Sequence, residues 1–146
     1  MEQGIFSKIA GSGSYIPERR VLNKDFEANV FYDPDGVLLD KMKPVIISQL
    51  EKITGIRERR YVTDDLVTFD FAFFAARAAL ESASIDGETL DHIIAAHNFG
   101  DISTGNPRSE FVPSLASRVK EHLGISNPGT IVFVAVGAGL NMNAVV

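Results

Sequence analysis

The chain has 146 residues, 45% of them hydrophobic, and a formal net charge of −5 at neutral pH. That is one domain's worth of sequence, apolar enough to bury a core and too apolar for disorder, and its acidic balance argues against a broad nucleic-acid footprint. No apolar run reaches the roughly 18 residues needed to span a bilayer, no basic-then-apolar leader opens the N-terminus, and the absence of cysteine excludes a disulfide framework and a thiolate metal site, so a soluble, cytoplasmic protein is expected.

In chain order, residues 5–10 read as a short strand that ends at Gly11-Ser12-Gly13-Ser14. Asn23 is placed to cap a helix over 24–30, because its side-chain oxygen accepts an orphan backbone N–H. Asp33-Pro34-Asp35-Gly36 is a turn. A helix follows over 44–53, with Pro44 at its first position and Gly55 just past its end. Residues 57–62 form a short exposed segment. Asp64 and Asp65 then open a long helix to about residue 84, acids in its first turn suiting the helix dipole. Phe69, Phe71, Phe73, Phe74 and several alanines make that helix apolar almost all round, so it is expected to lie between layers. Residues 90–96 read as a buried parallel strand. Pro113-Ser114 begins a helix to Leu123, stopped by Gly124, and 130–136 is the last strand, running into Gly137-Ala138-Gly139. Strands separated by helices predict an α/β chain with a mostly parallel sheet.

The polar motifs are sparse. Gly11-Ser12-Gly13-Ser14 lacks the spacing of a dinucleotide fingerprint and the lysine of a phosphate loop, so it reads as a turn leaving a strand. Asp33-Pro34-Asp35-Gly36 lacks the downstream ligands of a calcium loop. His92, His97 and His122 have no zinc-site spacing, and no metal is expected. His97-Asn98-Phe99-Gly100-Asp101 sits at the C-terminal end of a predicted parallel strand, the edge where open α/β sheets bind ligands. There, a catalytic role for His97 competes with simple loop shaping by Asn98, Gly100 and Asp101. Arg57, Arg59 and Arg60, with Arg19 and Arg20, are either a solvated face or a docking face for an acidic partner or phosphate.

Several segments together resemble the N-terminal part of a β-ketoacyl-acyl-carrier-protein synthase III, of the thiolase superfamily. They are Ile9-Ala-Gly-Ser-Gly-Ser-Tyr-Ile-Pro17, Ile53-Thr-Gly-Ile-Arg-Glu-Arg-Arg60, Asp91-His-Ile-Ile-Ala-Ala96, Val112-Pro-Ser-Leu-Ala116 and Leu123-Gly-Ile125. The resemblance implies a thiolase-like α/β fold, a mostly parallel sheet with helices on both faces, of which residues 1–146 are the N-terminal half and the second half is absent. A half-fold of this kind leaves its apolar helix and a sheet edge without cover.

The reaction implied is a decarboxylative Claisen condensation in fatty-acid or related polyketide synthesis. An acyl group passes from CoA to a cysteine thiolate. Malonyl-acyl-carrier-protein then loses CO₂, and its carbanion attacks the acyl-enzyme. CoA and acyl-carrier-protein thioesters are substrates; no further cofactor is implied, and a homodimer is. The cysteine's position falls on Gly139, or on Gly137 after a two-residue shift, and neither glycine can attack a carbonyl. The His and Asn that handle the malonyl carboxylate belong to the second half. Thr54, Asn98, Phe99 and Val112 are the substrate-binding candidates, Val112 at a position that reaches the partner subunit's acyl pocket. Arg57, Arg59 and Arg60 are the carrier-protein docking candidates. Gln49 and Ile53 stand where better-known members carry a Trp and an Arg for CoA. The resemblance leaves open a non-catalytic homologue, a partner or scaffold subunit that keeps the fold without the nucleophile.

Overall fold

The computed structural model describes residues 7–98, 100–103, 105–110, 112–136 and 143–145. Its elements in order are strand β1 (Ser12–Ser14), β2 (Arg19–Leu22), a 3₁₀ turn Asn23–Ala28, helix α1 (Lys43–Thr54) and β3 (Glu58–Tyr61). Helix α2 (Thr68–Ala83), a 3₁₀ turn Gly87–Thr89 and β4 (His92–His97) follow. The last are β5 (Asp101–Ser103), β6 (Asn106–Glu110), α3 (Leu115–His122), β7 (Ile131–Val136) and β8 (Asn143–Val145). The chain divides into two compact units, residues 16–63 and the remainder.

In the larger unit, β4 and β7 pair in parallel with His92 opposite Ile131 and His97 opposite Val136. Helix α3 links them and packs on both. Its Ser114 cap accepts a hydrogen bond from the Ser117 N–H at 3.2 Å, and Leu115, Ala116 and Val119 are buried. Thr130, also buried, donates to the Leu90 carbonyl at 2.8 Å and so sets where β7 joins the pair. Along β4 cover alternates: Ile94 is 72% exposed while His97 is buried. One face of β4 is therefore packed and the other open, unlike the continuously buried strand predicted. The remaining described pairings are antiparallel: β1 with β8, β2 with β3, and β5 with β6.

Helix α2 begins at Thr68 rather than at 64, where the Asp70 carboxylate accepts the Val67 N–H at 2.7 Å. Only Ala75 and Ala79 of this helix are buried; its phenylalanines are half-exposed. Its covered stripe faces β1. A Cβ on Gly13 would lie 2.4 Å from the Ala75 carbonyl oxygen and the Ala79 nitrogen, and one on Gly11 2.6 Å from the Ala83 nitrogen. The Gly-Ser-Gly-Ser stretch is thus a strand seated directly on a helix backbone, not the turn predicted. Residues 7–10 are not a strand. The Tyr15 ring continues the contact against Phe71 and Phe74, at centroid distances of 5.4 and 4.8 Å.

The 3₁₀ turn before β4 is clamped by Glu88. Its carboxylate accepts the Ser126 N–H at 2.7 Å, the Ser126 hydroxyl at 2.8 Å and the Asn127 N–H at 2.7 Å. Lys120 donates to the Asn127 carbonyl on the same loop at 2.7 Å. The Ser126 N–H and hydroxyl hold the Glu88 carboxyl below its ordinary value; the Asn127 N–H and the Lys120 charge add to the lowering, and desolvation opposes it.

In the unit of residues 16–63, β2 and β3 form an antiparallel ribbon with Arg20 opposite Arg60. Ile46 and Ile47 of α1 and Val21 of β2 are buried. Helix α1 ends at Gly55, whose φ of 68° is left-handed and whose N–H donates to the Glu51 carbonyl. The Asp33 carboxylate receives the Asp35 and Val37 N–H groups, which closes the predicted turn.

Two outcomes follow for stability. Gly13→Ala is expected to lower unfolding free energy by roughly 2 kcal/mol or more, since the atoms a methyl meets are backbone and cannot rotate away; chemical denaturation measures it. Because the Glu88 pKa is lower in the folded chain, its contribution is complete above the ordinary carboxylate range and fades as pH falls through the folded value. Glu88→Gln is therefore expected to depress the melting temperature at pH 7, with the gap to the parent narrowing in acid.

Candidate functional site

The sequence candidates fall in both units. In the larger one, β4 and β7 end side by side, and Asn98 directly follows His97 at that edge. Phe99, Gly137 and Gly139 lie outside the described residues. His97 is buried at the strand end. From Asn98 the chain enters the β5–β6 hairpin and returns to Val112, which is 86% exposed. The Val112–Pro113 peptide is cis, and α3 starts immediately after.

Among the described residues, this hairpin is tied down by ions. Asp101, 4% exposed, accepts the Phe69 N–H at 2.7 Å in the first turn of α2. Its other oxygen meets the Arg118 guanidinium of α3 at 2.5 Å. Arg118 also reaches Glu110 of β6 at 3.2 Å and the Pro113 carbonyl at 3.2 Å, and its side chain is 18% exposed. A carboxylate at a helix N-terminus satisfies an orphan donor and meets the positive end of the dipole. Gly100 makes room for the closure, since a Cβ there would overlap the Glu110 carbonyl. Arg118 and Glu110 are absent from the candidates drawn from sequence. The one signal for Arg118 is its position beside the apolar stripe Leu115, Ala116 and Val119, where a charge needs a partner.

Thr54 and the three arginines belong to the 16–63 unit. The Thr54 hydroxyl donates to the Leu50 carbonyl at 2.7 Å and accepts the Ile56 N–H at 3.2 Å. Asn23 does not cap a helix as predicted. Its amide donates to Glu51 at 3.0 Å and to the Ile56 carbonyl at 2.8 Å, and its oxygen accepts from Arg59 at 2.9 Å. The Asp25 carboxylate takes the capping role instead, accepting the Leu22 N–H. Arg59 also lies over the Phe26 ring at 5.3 Å. Arg57 differs: its side chain is 86% exposed and it contacts Glu51 at 3.5 Å. Arg60 is exposed and donates to the Glu18 carbonyl. A cleft of about 520 Å³ opens between the 3₁₀ turn and α1, with Arg57 on its border.

No family model matches the chain. Curated relatives do match. The β-ketoacyl-[acyl-carrier-protein] synthase III of Xanthomonas euvesicatoria is 36% identical over 124 residues, covering 85% of this chain and 32% of that protein. The corresponding protein of Xanthomonas axonopodis is also 36% identical over the same length. Over most of its own length the chain is thus similar to β-ketoacyl-acyl-carrier-protein synthase III proteins. It spans about a third of the length of the curated relatives it matches. Solved structures agree on a thiolase-like α/β fold. The 3-oxoacyl-[acyl-carrier-protein] synthase III of Aquifex aeolicus superposes with a TM-score of 0.62 at 29% identity, covering 90% of this chain and 35% of that one. A priming β-ketosynthase of a polyketide biosynthetic pathway gives 0.65 at 26%, covering 90% and 33%. Xanthomonas campestris OleA with bound lauric acid and lauroyl-CoA gives 0.64 at 25%, covering 90% and 35%.

Arg118→Met is expected to cost about 3 kcal/mol of stability, because it leaves the Asp101 charge buried without its cation. Joining it to Asp101→Asn should recover part of that loss. Denaturant midpoints of the two single variants and the double variant close the cycle.

Proposed function

We propose that the chain is the N-terminal part of a β-ketoacyl-acyl-carrier-protein synthase III, a cytoplasmic, dimeric acyltransferase of fatty-acid or related polyketide synthesis. The observation that carries the reading is 36% identity to such an enzyme over 85% of the chain. In the reaction, a cysteine sulfur attacks the carbonyl of an acyl-CoA, the thioester C–S bond breaks, and CoA leaves as its thiol. The carboxylate of malonyl-acyl-carrier-protein departs as CO₂, and the electron pair left on carbon attacks the acyl-enzyme and expels the sulfur. Gly139, or Gly137, occupies the nucleophile's position and supplies neither sulfur nor base. The work of these 146 residues is therefore binding and orientation.

Several features support that division. Asn98 stands at the C-terminal edge of a parallel strand pair, where α/β sheets receive ligands. The exposure of Val112 suits insertion into a partner subunit's acyl pocket. Arg57 and Arg60 are exposed and suited to an acidic carrier protein, while Arg59, tied to Asn23, holds their segment in place. The bound lauroyl-CoA of the structurally similar OleA favours acyl-CoA as the first substrate.

The test is made on the native polypeptide, recovered with an antibody against this sequence. The expected result is a mass about three times the 15.9 kDa of this chain, from the relatives' lengths, with CO₂ release from malonyl-acyl-carrier-protein that requires acyl-CoA, and an acyl adduct on cysteine. A 15.9 kDa species that neither binds acyl-CoA nor takes up acyl label would replace this reading with that of a non-catalytic partner subunit.

A further inference from the structure

We propose that the cleft of the 16–63 unit is a binding site for an organic phosphate. The assignment stands on this unit alone and does not depend on the condensation chemistry. Its volume, about 520 Å³, falls in the range of small-ligand sites and is far larger than an inorganic anion needs. Pro44 and Ile47 give it an apolar wall. Three cations border it from three segments: Lys24 from the 3₁₀ turn, Lys52 from the last turn of α1, and Arg57 from the loop beyond.

The local charge balance favours an anion. The unit carries nine of the chain's fourteen basic residues against eight of its nineteen acidic ones, while the remainder of the chain has five against eleven. Two carboxylates also border the cleft, Glu27 and Glu51. Glu51 is already engaged, one oxygen by Asn23 and the other by Arg57. Among the described residues, neither Lys24 nor Lys52 forms an ion pair. Only Glu27 is left to oppose two uncommitted ammonium groups. A phosphate monoester answers this arrangement better than a carboxylate. It carries nearly two charges near pH 7 and presents three terminal oxygens to donors arriving from different directions. Its organic body then lies on Pro44 and Ile47.

Titration of the full chain with phenyl phosphate, with inorganic phosphate and with benzoate, followed by NMR at low ionic strength, tests the site. Phenyl phosphate is expected to bind more tightly than either of the others and to shift signals of residues 23–27 and 44–57. The double variant Lys24→Gln with Lys52→Gln should weaken it about fivefold, and Glu27→Gln should tighten it about twofold. Lys41→Gln, which removes one positive charge outside the cleft, should leave it unchanged. All three lysines are exposed, so circular dichroism is expected to show each variant folded as the parent. The proposal is overturned by absence of phenyl phosphate binding, by equal binding of benzoate, or by an equal loss in Lys41→Gln and the double variant.

Discussion

The carboxylate of Asp101 is the point on which the larger unit turns. It is buried and charged, and it serves three elements at once: the first turn of α2 through the Phe69 N–H, the hairpin strand it belongs to, and α3 through Arg118. A buried carboxylate survives only where it is paired and hydrogen-bonded. Both oxygens here are used, so the position of each partner is dictated by the others. Arg118 extends the constraint to Glu110 and to the Pro113 carbonyl, fixing both ends of the segment that connects β4 to α3. That segment presents Asn98 and Val112, and it is placed by charge geometry because the hairpin has little apolar surface to bury.

The apolar core explains why such polar ties matter. Among the described residues its buried members are mostly small or medium: Ala75, Ala79, Ala116, Val119, Leu115 and Ile125. Small side chains let backbones approach closely, and the seating of Gly11 and Gly13 on α2 is the extreme case. Close approach gives many dispersion contacts but little volume per residue. The phenylalanines of α2 contribute along a half-exposed flank, with Phe69 stacked on His122 at 4.4 Å and Arg77 over Phe73 at 5.4 Å. A helix that is apolar on nearly every side, with cover here on one stripe, has surface left for further partners, as does the open face of β4.

What was legible in the sequence was what periodicity and punctuation encode. Helix α1 lies within a residue of its predicted bounds because Pro44 and Gly55 mark its ends chemically, and β4 and β7 follow their apolar runs to within two residues. The ribbon β2–β3 was invisible because Arg19-Arg20 against Arg59-Arg60 has no alternation of apolar and polar residues; it is held by backbone pairing and by the Arg20–Glu58 ion pair. The hairpin β5–β6 was missed for a related reason, its tie to Arg118 spanning distant positions. The Gly-Ser-Gly-Ser stretch is ambiguous in the sequence because glycine signals both turns and close backbone contact, and only the position of α2 distinguishes them.

The Thr54–Arg59 segment, which resembles the family's Thr-Gly-Ile-x-x-Arg signature with positions 57 and 58 unspecified, shows how much of such a signature is architecture. Thr54 closes the last turn of α1 and receives the Ile56 N–H, Gly55 supplies the left-handed residue, and the Ile56 carbonyl and the Arg59 guanidinium both bind Asn23. Asn23 in turn holds Glu51 of the same helix, so one amide, with both N–H donors and its oxygen engaged, locks the 3₁₀ turn, α1 and β3 together. Each named position of the motif is thus accounted for by this unit's own folding. Arg57, one of the two unspecified positions, is the most exposed arginine among those whose ion pairs are described. Two chains sharing these positions therefore share a scaffold, whatever each places at the intervening sites.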